Sequence, residues 1–250
     1  MTEATAAVRG GGDKLRVGDT IALAMGLLGR HLPAMAGLAL PSAFLNTLLL
    51  QLAAVQAVGA DYGVLMPILG AQLLLSLLIY SVTQALIVHA AVQAMRGHRV
   101  RIVETLAATL PRFVPIVLVS VMAGVLAGLA TLLLVIPGVI VFIMLFVAQP
   151  VCVVERLGAD ASVSRSAALT KGNRWRIFAL CLIVFVLRAA VGAVAALLLR
   201  AGASVVLIGV DVLVNGTLLA FYGVVTAVVY YQLRVLKEGV DIEQVAAVFG

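Results

Sequence analysis

The sequence predicts an all-α membrane protein with six transmembrane helices. Of its 250 residues, 64% are hydrophobic and 11% are charged, whereas an ordinary soluble domain has roughly 25% charged residues. Long stretches without any charged residue alternate with short, arginine-rich connections. No polar segment is long enough for a second, soluble domain, so we expect a single membrane domain.

Six apolar segments are predicted to cross the membrane, because each approaches or exceeds the roughly 20 residues that span a hydrocarbon core. They cover about residues 32–58, 63–95, 113–135, 138–154, 175–199 and 203–233. Ile136, Pro137 and Gly138 are expected to form a tight turn between the third and fourth spans. Residues 1–15 lack the apolar core of a signal peptide and are predicted to be a flexible tail. The membrane domain then covers residues 16–236, and a polar tail covers 237–250.

Three shorter segments carry a narrow apolar stripe at helical spacing. They lie at about residues 17–31, 99–112 and 160–171. In the first, Val17, Ile21 and Met25 recur every four residues, which predicts a helix. A short helix with such a stripe is typical of the membrane interface. The sequence therefore predicts one unit used three times, in which an amphipathic interfacial helix precedes a hairpin of two spans.

The positions of the cations predict the orientation. If six segments span the membrane, fifteen of the 17 lysines and arginines lie on one side, Arg200 lies on the other, and Arg188 lies within a span. Cytoplasmic loops carry such an excess of positive charge. We expect a multi-pass protein of a bacterial cytoplasmic membrane, with both termini and the three interfacial helices in the cytoplasm. This topology accounts for the net charge of +6, so no nucleic-acid partner is expected.

Arg188 is the first candidate site residue, because an unpaired arginine inside a membrane costs about 2.5 to 3.5 kcal/mol. Folding the last hairpin about Ala201 and Gly202 places Asp211 and Asn215 on the returning helix, one turn apart on the same face. We predict an ion pair between Arg188 and Asp211 that is assisted by Asn215. Two roles remain open, since the pair could lock the hairpin or form a binding site for a substrate or ion.

A second candidate set lies where the chain re-enters the membrane after the third interfacial helix. Its basic and aromatic side chains are candidates for contacts with lipid headgroups: Lys171, Asn173, Arg174, Trp175 and Arg176. Each cation near an anionic membrane surface contributes about 1 kcal/mol of attraction. Membrane lipids with anionic headgroups are therefore expected partners.

No catalytic, metal-binding or cofactor-binding residues are predicted. The sequence contains no nucleophile elbow, phosphate-binding loop, HExxH motif or paired carboxylates. Cys152 and Cys181 lie within apolar runs and form no CxxC motif. Gly124 and Gly128 form a GxxxG motif, which is typical of close helix packing.

Three segments carry a family resemblance. They are PGVIVFIMLFVAQPVCVVE from Pro137, SAALTKGNRWRIF from Ser166, and VVYYQLRVLKEG near the C-terminus. Together they resemble the membrane domain of glycerophosphoryl diester phosphodiesterases, and the resemblance extends from about Arg16 onward. In fused members the phosphodiesterase chemistry belongs to a separate soluble domain. The resemblance therefore implies a six-span fold and an association with lipid phosphodiester metabolism, without an enzymatic activity.

These expectations leave two main functions open. The first is a non-enzymatic inner-membrane module, a lipid-interacting scaffold or accessory protein that could hold a soluble partner at its cytoplasmic face. The alternative is a carrier or permease for a lipid or amphiphile, with Arg188 and Asp211 at its centre. A polar cavity that reaches Arg188 would favour transport, whereas a dry, fully packed hairpin would favour the scaffold. An intramembrane enzyme would have to use Glu155 or Asp160, which the absence of any grouping of acids with histidine disfavours.

Overall fold

The computed structural model describes residues 15–57, 61–200 and 205–238. Within these ranges the chain forms α-helices joined by short connections, and a 3-10 turn covers Leu110–Arg112. The helices are α1 Val17–Arg30, α2 Leu32–Ala57, α3 Tyr62–Met95, α4 Ile102–Thr109, α5 Phe113–Leu133, α6 Val135–Met144, α7 Ala148–Val154, α8 Ala159–Thr170, α9 Arg174–Arg200 and α10 Val205–Glu238.

Six helical segments are long and apolar enough to cross a membrane, which confirms the all-α fold class. Four of them lie in α2, α3, α9 and α10, one includes α4 and α5, and one is formed by α6 and α7 together. Their outer faces carry large apolar side chains, as shown by Val55, Leu73 and Leu132, which are 72%, 70% and 83% exposed. Extensive exposed apolar surface marks contact with lipid or another protein, so the fold is compatible with a multi-pass membrane protein.

Helix α10 occupies the centre of the bundle. It packs along α2 and α3, and α1 packs against it from outside. Two glycines permit this close approach, since a Cβ at Gly216 would lie 2.7 Å from Cδ2 of Leu40 in α2. A Cβ at Gly223 would lie 2.5 Å from Cγ2 of Ile87 in α3. Small residues allow helix backbones to approach one another in this way.

The buried core lies toward one end of the bundle. It combines the second half of α3, from Ser81 to Ala94, with the second half of α10, from Ala220 to Leu233. Helix α1 covers this end, where the Thr20 hydroxyl donates a hydrogen bond to Oε1 of Gln232 at 2.6 Å. Helices α4 and α8 lie at the same end. We call it the basic end because it carries Arg96, Arg112, Arg165, Arg174 and Arg234.

The predicted turn at Ile136, Pro137 and Gly138 is wrong. The chain instead turns at Leu134, which has an extended backbone with φ −159° and ψ 141°, and α6 has already begun at Val135. Gly138 lies in the first turn of α6 and allows α6 to approach α5. A Cβ there would lie 2.6 Å from the Cα of Thr131. The glycine is used for helix packing rather than for the turn.

The span predicted at 138–154 is found at Val135–Val154, but it is not one uninterrupted helix. Helix α6 ends at Met144 and α7 begins at Ala148, so the segment is interrupted at residues 145–147. Pro150 supplies the physical reason. A proline ring lacks an N–H group and clashes with the carbonyl one helical turn earlier, which breaks a helix just before the proline.

Other expected boundaries and contacts also change. Leu15, assigned to the tail, is only 2% exposed, and α10 continues through Glu238. The close packing expected at Gly124 and Gly128 is not observed, because a Cβ at either position would meet nothing within 4 Å. The predicted tails at 1–14 and 239–250, residue 58 and the start of the last span at 203 lie outside the described residues.

Candidate functional site

A row of hydroxyls on α8 covers the interruption between α6 and α7. Ser162, Ser166 and Thr170 recur every four residues on one face and are 0% exposed. The Ser166 hydroxyl donates to the Met144 carbonyl at 2.7 Å, and the Thr170 hydroxyl lies 3.4 Å from the same oxygen. Because the N–H of Ala148 bonds to Leu145 instead, the Met144 carbonyl lacks its helical donor. The α8 hydroxyls replace that donor, as capping groups do at a helix end.

Five side chains at the basic end form an ionic cluster: Glu155, Arg165, Tyr230, Arg234 and Glu238. Nε of Arg165 donates to Oε2 of Glu155 at 3.0 Å, and its Nη2 donates to Glu238. The Tyr230 hydroxyl donates to Oε1 of Glu155 at 2.9 Å, and Nε of Arg234 donates to Oε2 of Glu238 at 3.0 Å. Two carboxylates thus balance two guanidinium groups across α7, α8 and α10.

The electrostatics of Arg165 show that the ionic cluster is internally satisfied. Burial opposes the charge of its guanidinium, but the hydrogen bonds to Glu238 and Glu155 outweigh burial and raise its pKa. The side chains of Arg165 and Glu155 are 31% and 15% exposed. Removing one partner of a pair this sheltered leaves a charge without compensation. The cluster therefore connects three helices, and its charged groups are already paired with one another.

A cavity of about 510 Å³ lies between α3, α6, α9 and α10. Most of its lining is apolar and includes Phe142 from α6 and Phe185 from α9. Its polar groups include the Tyr80 and Tyr222 hydroxyls and the Arg188 guanidinium, whose charge acts on Tyr80. Small-molecule sites are typically apolar cavities of about 300–1,000 Å³ with a few convergent polar groups. This cavity has that size and lining.

The predicted ion pair between Arg188 and Asp211 does not form. Oδ1 of Asp211 accepts a hydrogen bond from Nδ2 of Asn215 at 2.8 Å, and Oδ2 accepts one from the Thr47 hydroxyl of α2 at 3.3 Å. Arg188 instead lines the cavity beside Tyr222, which lies about three helical turns beyond Asp211. The reason is the central position of α10: its first half faces α2, so Asp211 is satisfied there and not by α9.

No salt bridge of Arg188 is found within the described part of the chain. The structure therefore brings Asp211 and Asn215 together, as expected, but separates Arg188 from both. The three predicted residues divide into two sites. One is a hydrogen-bonded contact between α10 and α2, and the other is the charged end of an apolar cavity.

The predicted headgroup contacts lie at the turn between α8 and α9. Asn173 is buried at 6% exposure, and its Oδ1 accepts a hydrogen bond from the N–H of Leu15 at 3.2 Å. This hydrogen bond attaches Leu15, the first described residue, to the turn between α8 and α9. Lys171 is exposed, and Trp175, which is 83% exposed, packs edge-on against Phe178 with the ring centroids 5.9 Å apart.

Two guanidinium nitrogens at this turn are buried without a partner among the described residues. They are Nε of Arg174 and Nη1 of Arg176. Both arginines were expected to contact headgroups. The ionic cluster and the hydroxyl row of α8 were not predicted, although Glu155 and Arg165 are only ten residues apart in the sequence.

Among the described residues, histidine, cysteine, aspartate and glutamate form no group of three or more that could hold a metal ion. Comparisons of the chain with models of protein families, with curated proteins and with solved structures found no match.

Proposed function

We propose that this chain is a non-enzymatic, lipid-interacting module of a bacterial cytoplasmic membrane, and that its cavity binds an anionic amphiphile. The observation that carries the proposal is the position of Arg188, whose side chain is exposed, in the largely apolar cavity between α3, α6, α9 and α10. In this arrangement the apolar part of the ligand contacts the walls, and its acidic group contacts the guanidinium.

The charge of Arg188 favours an acidic ligand. A cation among apolar side chains is costly unless it is paired, and Asp211 is engaged elsewhere. A carboxylate or phosphate from a ligand would supply the missing negative charge through charge-assisted hydrogen bonds. The hydroxyls of Tyr80 and Tyr222 lie in the same cavity and add donors for the same group.

The shape of the cavity favours an extended apolar chain. Its lining runs along α9 from Phe178 to Arg188, ten residues apart and therefore about 15 Å along the helix axis. Phe142 and Phe185 line its walls. An amphiphile with an acid at one end would place that acid at Arg188 and its chain toward Phe178.

The topology proposed for this function is the one expected from the sequence. The spans would form three hairpins, each preceded by an interfacial helix, and the basic end would face the cytoplasm. There the ionic cluster would hold α7, α8 and α10 together and leave the outer faces of the short helices for a soluble partner. The resemblance to the membrane domain of glycerophosphoryl diester phosphodiesterases supports a role beside lipid phosphodiester chemistry.

A carrier for the same amphiphile is the second candidate, and one observation favours it. Ile143 lines the cavity directly before the interruption between α6 and α7. Discontinuous helices beside a central site are common in transport proteins, where they contribute to binding. In a carrier, α6 would move relative to α7, and the hydroxyls of α8 would rebind the Met144 carbonyl.

Native mass spectrometry of the protein extracted gently from its own membrane tests the proposal. We expect wild type to retain an anionic amphiphile and Arg188→Ala to lose it. Asp211→Asn is the matched control, because it alters an intramembrane charge that does not line the cavity, and it should retain the ligand. Equal retention by all three proteins would contradict the proposal. Movement of the identified amphiphile across proteoliposomes would then distinguish a carrier from a static binding module.

A further inference from the structure

A second group of cations gathers at the turn between α8 and α9, away from the cavity. Nζ of Lys237, in the last turn of α10, donates a hydrogen bond to the Ala168 carbonyl of α8. This contact brings Lys237 to the last turn of α8, next to the turn that carries Lys171 and Arg174, and the positive charges of Lys171, Arg165 and Arg174 act on Lys237. Three cations from the end of α8, the start of α9 and the end of α10 therefore share one place on the surface.

The described residues do not neutralise these three cations. Lys171, Arg174 and Lys237 form no salt bridge with any described acid. Glu238, next to Lys237, is held by Arg165 and Arg234 in the ionic cluster. The positive charges repel one another, and Nε of Arg174 is buried without an acceptor among the described residues. An anion between them would relieve the repulsion and satisfy that N–H group.

Trp175 indicates that this group lies near lipid headgroups. Its ring is 83% exposed and contacts Phe178 at its edge. Tryptophan is enriched at membrane–water interfaces because its ring is apolar while its N–H group is polar. Arg174 precedes it directly, so the cations lie beside an exposed interfacial aromatic side chain.

We propose that Lys171, Arg174 and Lys237 bind a phosphate group, and that the phosphate belongs to an anionic phospholipid headgroup beside Trp175. Lysine and arginine are the usual phosphate ligands in proteins. Arg176 is not included, since residues two apart on a helix do not share a face. This headgroup site uses none of the residues that line the cavity, so it stands independently of the proposed amphiphile site.

Trp175 is the chain's single tryptophan, so its fluorescence reports on this site alone. The experiment places the protein in nanodiscs that contain brominated phosphatidylglycerol or brominated phosphatidylcholine, whose bromine atoms quench nearby tryptophan. In wild type, phosphatidylglycerol is expected to quench Trp175 at a lower mole fraction than phosphatidylcholine. In Lys171→Gln/Arg174→Gln the preference should disappear. Arg99→Gln, which removes an exposed cation elsewhere, should retain it.

The expected effect is about fivefold in relative affinity for each cation, from about 1 kcal/mol per charge near an anionic surface. The double variant should therefore lose about thirtyfold. Equal quenching by the two lipids in wild type, or an unchanged preference in the double variant, would overturn the proposal. If circular dichroism shows that the double variant does not fold, the single variant Lys171→Gln, at an exposed position, replaces it. The expected loss in relative affinity is then about fivefold.

A second arm identifies the source of the phosphate. Inorganic phosphate is added to wild-type protein in phosphatidylcholine nanodiscs, and Trp175 fluorescence is measured. A lipid-headgroup site predicts no change at millimolar phosphate. A saturable change that Lys171→Gln/Arg174→Gln removes would show that the site takes free phosphate, and would overturn its assignment to a lipid.

Discussion

Replacing Gly223 with alanine is expected to destabilise the bundle by forcing α10 away from α3. The new Cβ would lie 2.5 Å from Cγ2 of Ile87, 2.9 Å from Cβ of Ile87 and 2.9 Å from Oε1 of Gln84. The Ile87 side chain is fully buried and has no free space to enter. The amide nitrogen of Gln84 donates to the Leu219 carbonyl at 3.2 Å, so a shift of this side chain also disturbs a contact between the helices.

Two opposing effects set the magnitude. Overfilling a packed core costs about 1–3 kcal/mol, whereas alanine is favoured over glycine inside a helix by about 0.5–1 kcal/mol. Gly209→Ala isolates the second effect, because Gly209 lies on the same helix and a Cβ there would meet nothing within 4 Å. The difference between the two variants in free energy of unfolding should therefore be about 1–3 kcal/mol.

The assay is equilibrium unfolding in mixed micelles of SDS and a mild detergent, followed by far-UV circular dichroism. Gly223→Ala should unfold at a lower SDS fraction than wild type, and Gly209→Ala at the same or a higher fraction. Equal unfolding midpoints for the two variants would refute the central position of α10 against α3.

Two further stability predictions use the same assay. Ser166→Ala removes the shorter of the two hydrogen bonds to the Met144 carbonyl and leaves the longer one from Thr170, so it should cost about 0.5–1.5 kcal/mol, the net contribution of one hydrogen bond. Ser164→Ala, on the exposed face of α8, should be neutral, and equal effects of the two substitutions would contradict the hydroxyl row. Glu155→Gln leaves Arg165 undercompensated in the ionic cluster and should cost up to about 3–5 kcal/mol. Glu104→Gln breaks only an exposed pair with Arg101 and should cost about 0–1 kcal/mol, so a Glu155→Gln effect no larger than this would show that the cluster is dispensable.

The spans could be predicted because length and charge alone specify them. Each charge-free run had to become a helix, since backbone polar groups inside a membrane must bond within their own segment. The ends of α3 and α9 accordingly lie within one residue of the prediction. The interruption before Pro150 was not predicted. A proline removes one hydrogen bond of a helix, but it does not by itself show where a helix ends, since α2 continues through Pro41 and α3 through Pro67.

The arrangement of the helices could not be predicted in the same way. Placing Arg188 opposite Asp211 assumed that α9 and α10 lie side by side, whereas α10 packs chiefly on α2 and α3. Which helices α10 packs against depends on how closely their surfaces fit together. In the sequence, Gly216 and Gly223, which allow close packing, look the same as glycines that have no other helix nearby. The row of Ser162, Ser166 and Thr170 was not predicted, because the spacing of apolar residues gives no information about a stripe of hydroxyls on a helix.

The cavity is the centre of the functional proposal, and photolabelling tests it most directly. A single-chain fatty acid that carries a diazirine in its chain is activated in membranes containing the protein, and the labelled peptides are identified by mass spectrometry. Saturable labelling is expected at Phe142 of α6 and at Leu182 and Phe185 of α9, and it should be strongly reduced in Arg188→Ala. Labelling spread evenly over the lipid-facing side chains, including Leu132 of α5, and unchanged by Arg188→Ala would contradict it.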